Sequence, residues 1–130
     1  MSTFSLKIVT PHGLYLETEV EILNLCTTGG QIGILAHHLP LVSAIEISDM
    51  NIVTHGERKH YAIAGGFVYV GKEETTIIAN AIESPEEIYI DRAYRAKERA
   101  EKRLSQGDCD ILRASAALHR ALNRIRVKGI

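Results

Sequence analysis

Along the first 84 residues, apolar side chains recur at every second position in short runs. Phe4, Leu6 and Ile8 alternate with Ser5 and Lys7, and the turn-forming Pro11-His12-Gly13 follows at once. Runs of the same kind occupy residues 14–16, 20–26, 41–47, 50–54, 58–64, 67–70 and 75–81. Gly29-Gly30, Ser48-Asp49, His55-Gly56-Glu57, Gly65-Gly66 and Lys72-Glu73-Glu74 separate them. Many short strands at this spacing predict an antiparallel β-sandwich or flattened barrel over residues 1–84, with no parallel βαβ unit. After Ser84-Pro85 the apolar period lengthens to three or four. Ala93, Ala96, Ala100 and Leu104 form one helical stripe, and Ile111, Ala114, Leu118, Ala121, Leu122 and Ile125 form another. Ser105-Gln106-Gly107-Asp108 breaks the pattern between them, and Asp108 or Asp110 can cap the second helix. Residues 85–130 therefore read as an antiparallel helical hairpin, and the chain as an α+β protein.

The alanine seam weakens the hairpin. Each Ala buries much less than the roughly 1.5–3 kcal/mol worth of surface a Leu offers, and isolated helices of about 15 residues are marginal in water. The hairpin must dock on the sandwich or on another protein, which makes it a candidate moving part.

Charge divides at the same point. Residues 1–84 carry four Lys or Arg against nine Asp or Glu, residues 85–130 eleven against seven, so the net charge of -1 conceals an acidic body and a basic tail. The stretch 111–130 holds Arg113, Arg120, Arg124, Arg126 and Lys128 without a carboxylate, which fits an acidic surface or a phosphate as partner. No apolar run approaches the ~18 residues of a membrane span, and no basic region leads into an apolar one at residues 1–6, so the expectation is a soluble, unexported chain. Cys26 and Cys109 lie in different halves without metal or redox spacing and read as reduced thiols.

The densest candidate chemistry lies at residues 29–41. His37 and His38 are adjacent, but neighbours in an extended segment point in opposite directions, and no Cys, Asp or Glu stands close by, so no metal is assigned. The glycines lack the Gly-x-x-x-x-Gly-Lys-Ser/Thr pattern of a phosphate loop. Ile32, Ile34, Leu35, Leu39 and Leu41 are more apolar surface than a solvated loop should carry, so part of the segment either tucks into the core or meets a partner, with docking the sharper reading. No carboxylate pair, nucleophile with base, or metal cluster stands at recognisable spacing, which argues against an enzyme. An acidic sandwich argues against nucleic acid.

Three separated segments resemble the F-type ATP synthase epsilon subunit, bacterial type. Gly30, Gly33, His38, Pro40 and Leu41 match that family's Gly-acidic-x-Gly-x-x-Pro-Gly-His-x-Pro-Leu loop, with Gln31 at the acidic position and Ala36-His37 replacing Pro-Gly. The stretch 64–70, Ala-Gly-Gly-Phe-Val-Tyr-Val, resembles its Ser-Gly-Gly-Phe-x-x-Val strand pair, and residues 97–104 and 120–125 resemble its helical hairpin.

The resemblance implies a non-catalytic stalk subunit of the proton-translocating rotary motor, peripheral on the cytoplasmic face of the cell membrane. It implies a sandwich (1–84) that binds the gamma subunit and rests on the c-ring, and a regulatory hairpin (85–130) that extends into the alpha/beta head to block ATP hydrolysis. On this reading Gln31, Ile34, Leu35, His38 and Pro40 face the c-ring, and Arg113, Arg120, Arg124 and Arg126 meet acidic beta subunits. No cofactor is implied beyond ATP as a weak regulatory ligand. Some bacterial members bind it on the folded-down hairpin through an Ile-Asp-x-x-Arg-Ala motif. Glu83, Ile88, Arg92, Arg120 and Arg124 match that site, Tyr89 stands where Asp is expected, and Asp91 is the nearest substitute. The alternative is a free-standing cytosolic ATP-sensing or binding module.

Overall fold

The computed structural model describes residues 2–107 and 110–129. Eight strands are followed by a short 3₁₀ turn and two helices: β1 (Phe4–Thr10), β2 (Gly13–Val20), β3 (Ile22–Thr27), β4 (Gly30–Leu35), β5 (Leu41–Thr54), β6 (Glu57–Val70), β7 (Glu74–Ala79), β8 (Ile82–Glu83), the turn Pro85–Glu87, α1 (Ile90–Gln106) and α2 (Ile111–Lys128). The strand order is β2-β1-β7-β6-β5-β3-β4, with β8 on β6. The architecture is a β-sandwich and not a closed barrel. Leu6, Ile8, Val20, Leu23, Ile34, Met50, Ile52, Ile63, Val68 and Ile77 are fully buried and form one core.

Three features differ from the sequence expectation. Ser48-Asp49 and Gly65-Gly66 do not end strands: β5 and β6 each run 14 residues in one register, from Leu41↔Val70 to Thr54↔Glu57, interrupted only at Glu46 and Gly65. Gly66 is required where β6 begins to pair with β7, because at its φ of 140° a Cβ would lie 2.1 Å from the Ile78 carbonyl oxygen. The expected run 20–26 divides at Glu21, whose amide bonds the Val53 carbonyl at 2.7 Å as the chain passes from pairing with β1 to pairing with β5. Finally, β1 and β7 pair in parallel, although every other pairing is antiparallel. The β5–β6 turn is as read: His55 (φ 53°) and Gly56 (φ 75°) both take the positive φ that a two-residue hairpin turn needs.

The helical hairpin forms where expected. Gly107 closes α1 at φ 68°, and Asp110 caps α2 by accepting from the Arg113 amide at 3.2 Å; Asp108 and Cys109 lie outside the described residues. Ala93, Ala100, Ala114 and Ala121 are buried along the seam. Ile111 and Leu122, assigned to the seam from periodicity, are instead 61% and 44% exposed, while Asn123 and Val127 are buried. The cause is docking: α2 packs on β5, β6 and the 3₁₀ turn as well as on α1, so its buried face is wider than one helix contact requires.

Candidate functional site

The short strand β8 pairs through Ala62↔Glu83 and Ile63↔Ile82, which places the Glu83 carboxylate at the foot of the hairpin. Arg124, on α2, donates from Nε to Glu83 Oε1 at 2.6 Å. One turn farther on, Lys128 Nζ donates to the Pro85 carbonyl at 2.7 Å, and Val127 is buried with Ile88 and Ala62. Asn123 completes the clasp: its Nδ2 donates to the Ser48 carbonyl at 2.8 Å, and its Oδ1 accepts from Arg126 Nη2 at 2.8 Å. The hairpin is thus held to the sandwich by the last turns of α2, through polar contacts around one small apolar cluster.

Beside this clasp lies a cleft of about 350 Å³ between β8 and α1, lined by Glu83, Ile88, Tyr89, Arg92, Arg99 and Arg124 among others. The fold therefore gathers four of the six residues expected to hold a nucleotide. Arg120 lines an adjoining crevice with Asn123 and Arg124 rather than the cleft itself. Asp91 does not line it and is exposed in the first turn of α1. Tyr89 explains the difference. It is the N-cap residue of α1 and makes no side-chain cap hydrogen bond. An Asp there would supply both a cap and a carboxylate at the cleft; Tyr supplies neither and leaves its ring 75% exposed. Arg99 escaped the motif reading because it lies two turns beyond it and enters the cleft only through helix periodicity.

The basic groups of α2 are more fully hydrogen-bonded than composition indicated. Arg124 pairs with the Glu83 carboxylate, Arg126 and Lys128 donate to the neutral Asn123 and Pro85 oxygens, and Arg113 and Arg120 hold no ion pair among the described residues. Arg124 and Arg126 also do not share a face, since side chains two apart on a helix diverge. Arg126 instead lines, with His119, a wide polar cleft beside β3, β4 and β5.

The segment 29–41 is not one loop. Residues Gly30–Leu35 form edge strand β4, paired with β3 from Thr27↔Gly30 to Ile22↔Leu35. Ile34 is 1% exposed and belongs to the core, so it cannot be presented to a partner. Gln31 lies at the β3–β4 turn, whereas Leu35, His38 and Pro40 lie at the far end of β4, about 13 Å away by strand rise from Gln31 to Leu35 alone. Leu39 and Leu35 are exposed, and the His38 ring Nδ1 lies 2.6 Å from the Leu39 carbonyl. Among the described residues no three His, Cys, Asp or Glu side chains converge as a metal site, and no described helix is long and apolar enough to cross a membrane.

Sequence reading missed an apolar row on the outer face of the sandwich. Leu14, Val9, Ile78, Phe67 and Ala44 are cross-strand neighbours over β2, β1, β7, β6 and β5. Leu14, Ile78 and Phe67 are exposed, as are Val42 and Tyr69 beside them. Its members come from five strands and are contiguous only in the folded sheet.

Comparison with known proteins covers both parts. Residues 3–85 match the family ATP synthase, Delta/Epsilon chain, beta-sandwich domain, and residues 86–129 match ATP synthase, Delta/Epsilon chain, long alpha-helix domain. The chain is 40% identical over 130 residues to the ATP synthase epsilon chain of Bacillus pumilus, with 99% of each chain covered. It is 45% identical over 124 residues to that of Desulfitobacterium hafniense strain Y51, covering 95% of this chain and 94% of the relative. Its fold is similar to a chain in the Euglena gracilis mitochondrial ATP synthase OSCP/F1/c-ring structure, with a TM-score of 0.81 and 22% identity over 95% of this chain and 79% of that one. A chain of the Tetrahymena thermophila mitochondrial ATP synthase central stalk/c-ring structure also shares the fold, with a TM-score of 0.63 and 15% identity over 98% and 95%.

Proposed function

Because the chain belongs to the ATP synthase epsilon-chain family, we propose that it is a non-catalytic stalk subunit whose sandwich couples the c-ring to the head and whose hairpin brakes ATP hydrolysis. It acts at the cytoplasmic face of the membrane, attached through the complex. The observation that carries the brake is the clasp: Asn123–Ser48, Arg124–Glu83 and Lys128–Pro85 surrounding the small Ala62–Ile88–Val127 cluster. A hydrogen bond contributes about 1 kcal/mol net, and a partly exposed ion pair about 0–1 kcal/mol. Contacts of this size can be exchanged for others elsewhere.

In the extended position Arg113 and Arg120, which hold no ion pair among the described residues when docked, together with the released Arg124 and Arg126, meet acidic residues of the beta subunits. ATP in the cleft lined by Arg92 and Arg124 favours the docked position, since that cleft needs both walls in place. A ligand at about 100 times its Kd shifts such an equilibrium by about 2.7 kcal/mol, comparable to the clasp itself. The apolar row through Phe67 and Ile78 is the gamma-binding face, because an exposed contiguous apolar patch marks a contact surface. Loss of gamma co-purification in Phe67→Glu, with the sandwich still folded, tests that assignment.

The brake is tested in the assembled enzyme. Charge reversal of Arg113 and Arg120 to Glu should raise ATP hydrolysis, and deletion after Glu87 should raise it at least as much, with synthesis less affected. Wild-type hydrolysis rates in both variants would show that the hairpin is not the brake.

A further inference from the structure

The chain enters the hairpin through Ser84-Pro85, where the composition changes, yet the structure ties the residues just beyond it to the sandwich. Proline fixes its own φ near −65° and restricts the residue before it to extended conformations; Ser84 sits at φ −77°, ψ 162°. The 3₁₀ turn closes through Glu87 N to Ser84 O at 3.0 Å and Ile88 N to Pro85 O at 3.3 Å. The Glu87 carboxylate reaches back to accept from the Ser84 amide at 2.9 Å, and the same oxygen accepts from the Tyr15 hydroxyl of β2. Tyr15 is itself fixed edge-on against Tyr61 of β6, with ring centroids 6.2 Å apart and planes at 82°, and Tyr61 is buried in the core. The preceding residues, Ile82 and Glu83, are paired to β6. From Ile82 to Glu87 the chain is thus fastened to two strands of the sandwich.

Immediately afterwards this run of hydrogen bonds to the sandwich ends. Ile88 (φ −83°, ψ 120°) and Tyr89 (φ −87°, ψ 104°) are two successive extended residues before α1 begins at Ile90. Tyr89 is exposed, and Ile88 clusters with Ala62 of β6 and with Val127, a residue of the part that would leave.

We propose that Tyr15 and Glu87 latch the Pro85–Glu87 turn to the sandwich, so that the hairpin pivots at Ile88–Tyr89 and not at Ser84–Pro85. This rests on the mobile-hairpin reading above and locates its hinge. One consequence concerns the nucleotide cleft. Glu83 stays with the sandwich, while Tyr89, Arg92, Arg99 and Arg124 lie on the moving side or at its hinge, so the cleft exists only when the hairpin is docked. A second is that the swinging arm is shorter than the composition boundary implies.

The test uses the full chain lacking Cys26 and Cys109, with spin labels on the exposed Lys72 and either Glu86 or Arg95 as cysteines. Release is driven by Asn123→Asp with Lys128→Glu, which removes two arms of the clasp. On release the Lys72–Arg95 distance distribution should broaden and shift while Lys72–Glu86 stays narrow, and Tyr15→Phe in the released chain should broaden Lys72–Glu86 as well. Broadening of both pairs with Tyr15 intact would overturn the pivot while leaving a mobile hairpin in place. An unchanged Lys72–Glu86 pair in Tyr15→Phe would overturn the latch. If neither pair broadened on release, the mobile hairpin would be overturned, and the hinge with it.

Discussion

Arg124 Nε lies 2.6 Å from Glu83 Oε1, so one ion pair both clasps α2 to β8 and forms a wall of the cleft beside α1. Both side chains are about 30% exposed, which keeps the net worth of the pair near 0–1 kcal/mol in isolation. Its importance on the proposed reading is positional. There it holds a guanidinium at the cleft where a phosphate would meet it, for which charge-assisted bonds are roughly twice as strong as neutral ones.

ATP binding by the isolated subunit should therefore fall at least tenfold in Arg92→Ala and in Arg124→Ala, and stay within about twofold of wild type in Arg126→Ala, whose side chain lines a different cleft. Tyr89→Asp should act in the opposite direction. It restores an N-cap to α1, worth about 1 kcal/mol of helix stability, and adds a carboxylate at the cleft. Titration calorimetry compares the four; equal affinities for wild type and Arg92→Ala at millimolar ATP would remove the site.

Asn123 is the one buried polar side chain of the hairpin among the described residues, and the Ser48 carbonyl is its acceptor. Asn123→Ala leaves that carbonyl without this donor and frees Arg126, at a cost of about 1–3 kcal/mol to docking. Hydrogen exchange should report it as faster exchange in α2 with little change in β1 and β7. Equal acceleration in those strands would mean that hairpin and sandwich unfold as one unit.

Gln31 and His38 flank opposite ends of β4, so a flat partner should reach one and not the other. Cysteines at these positions, in a chain lacking Cys26 and Cys109, should crosslink to the polar loop of the c subunit with clearly unequal efficiency. Equal efficiency would contradict contact through a single end of the sandwich.

The Tyr15–Glu87 contact titrates at both extremes of pH. Burial pushes the Tyr15 phenol well above its ordinary value, assisted by the hydrogen bond to Glu87 and that carboxylate's charge. For Glu87, burial works upward, but the hydrogen bonds from Tyr15 and Ser84 outweigh it and hold the carboxyl below its ordinary value of 4.5. A lowered acid stabilises the fold above that ordinary value and loses its contribution as pH falls through the folded value. A raised phenol contributes below its ordinary value of 10.0 and loses it as pH rises beyond. Carboxyl-carbon NMR should find Glu87 titrating below its ordinary value of 4.5 in wild type and higher in Tyr15→Phe; an unchanged midpoint would mean that Tyr15 does not hold it.

What the sequence determined by itself was whatever its local periods encode. The period of two announced strands, the switch after Pro85 announced the helical hairpin, His55-Gly56-Glu57 announced a turn, Ser105-Gln106-Gly107-Asp108 a break between the helices, and Asp108 or Asp110 a cap, because each depends on neighbours along the chain. Family motifs further marked Glu83, Ile88, Arg92 and Arg124, which the fold does bring to one cleft. Only the tertiary structure decided the rest. Gly65-Gly66 read as a break because glycine usually is one, whereas here it lets β6 continue alongside β7. Ile34 read as an exposed docking residue because its neighbours are turn-formers, and pairing with Leu23 buries it. Tyr15 and Glu87 are 72 positions apart, and Asn123 and Ser48 are 75 apart. No periodicity links such partners, because what brings them together is the packing of β2 and β5 in the sandwich and the docking of α2 on it around a second small cluster, and that is a property of the whole chain.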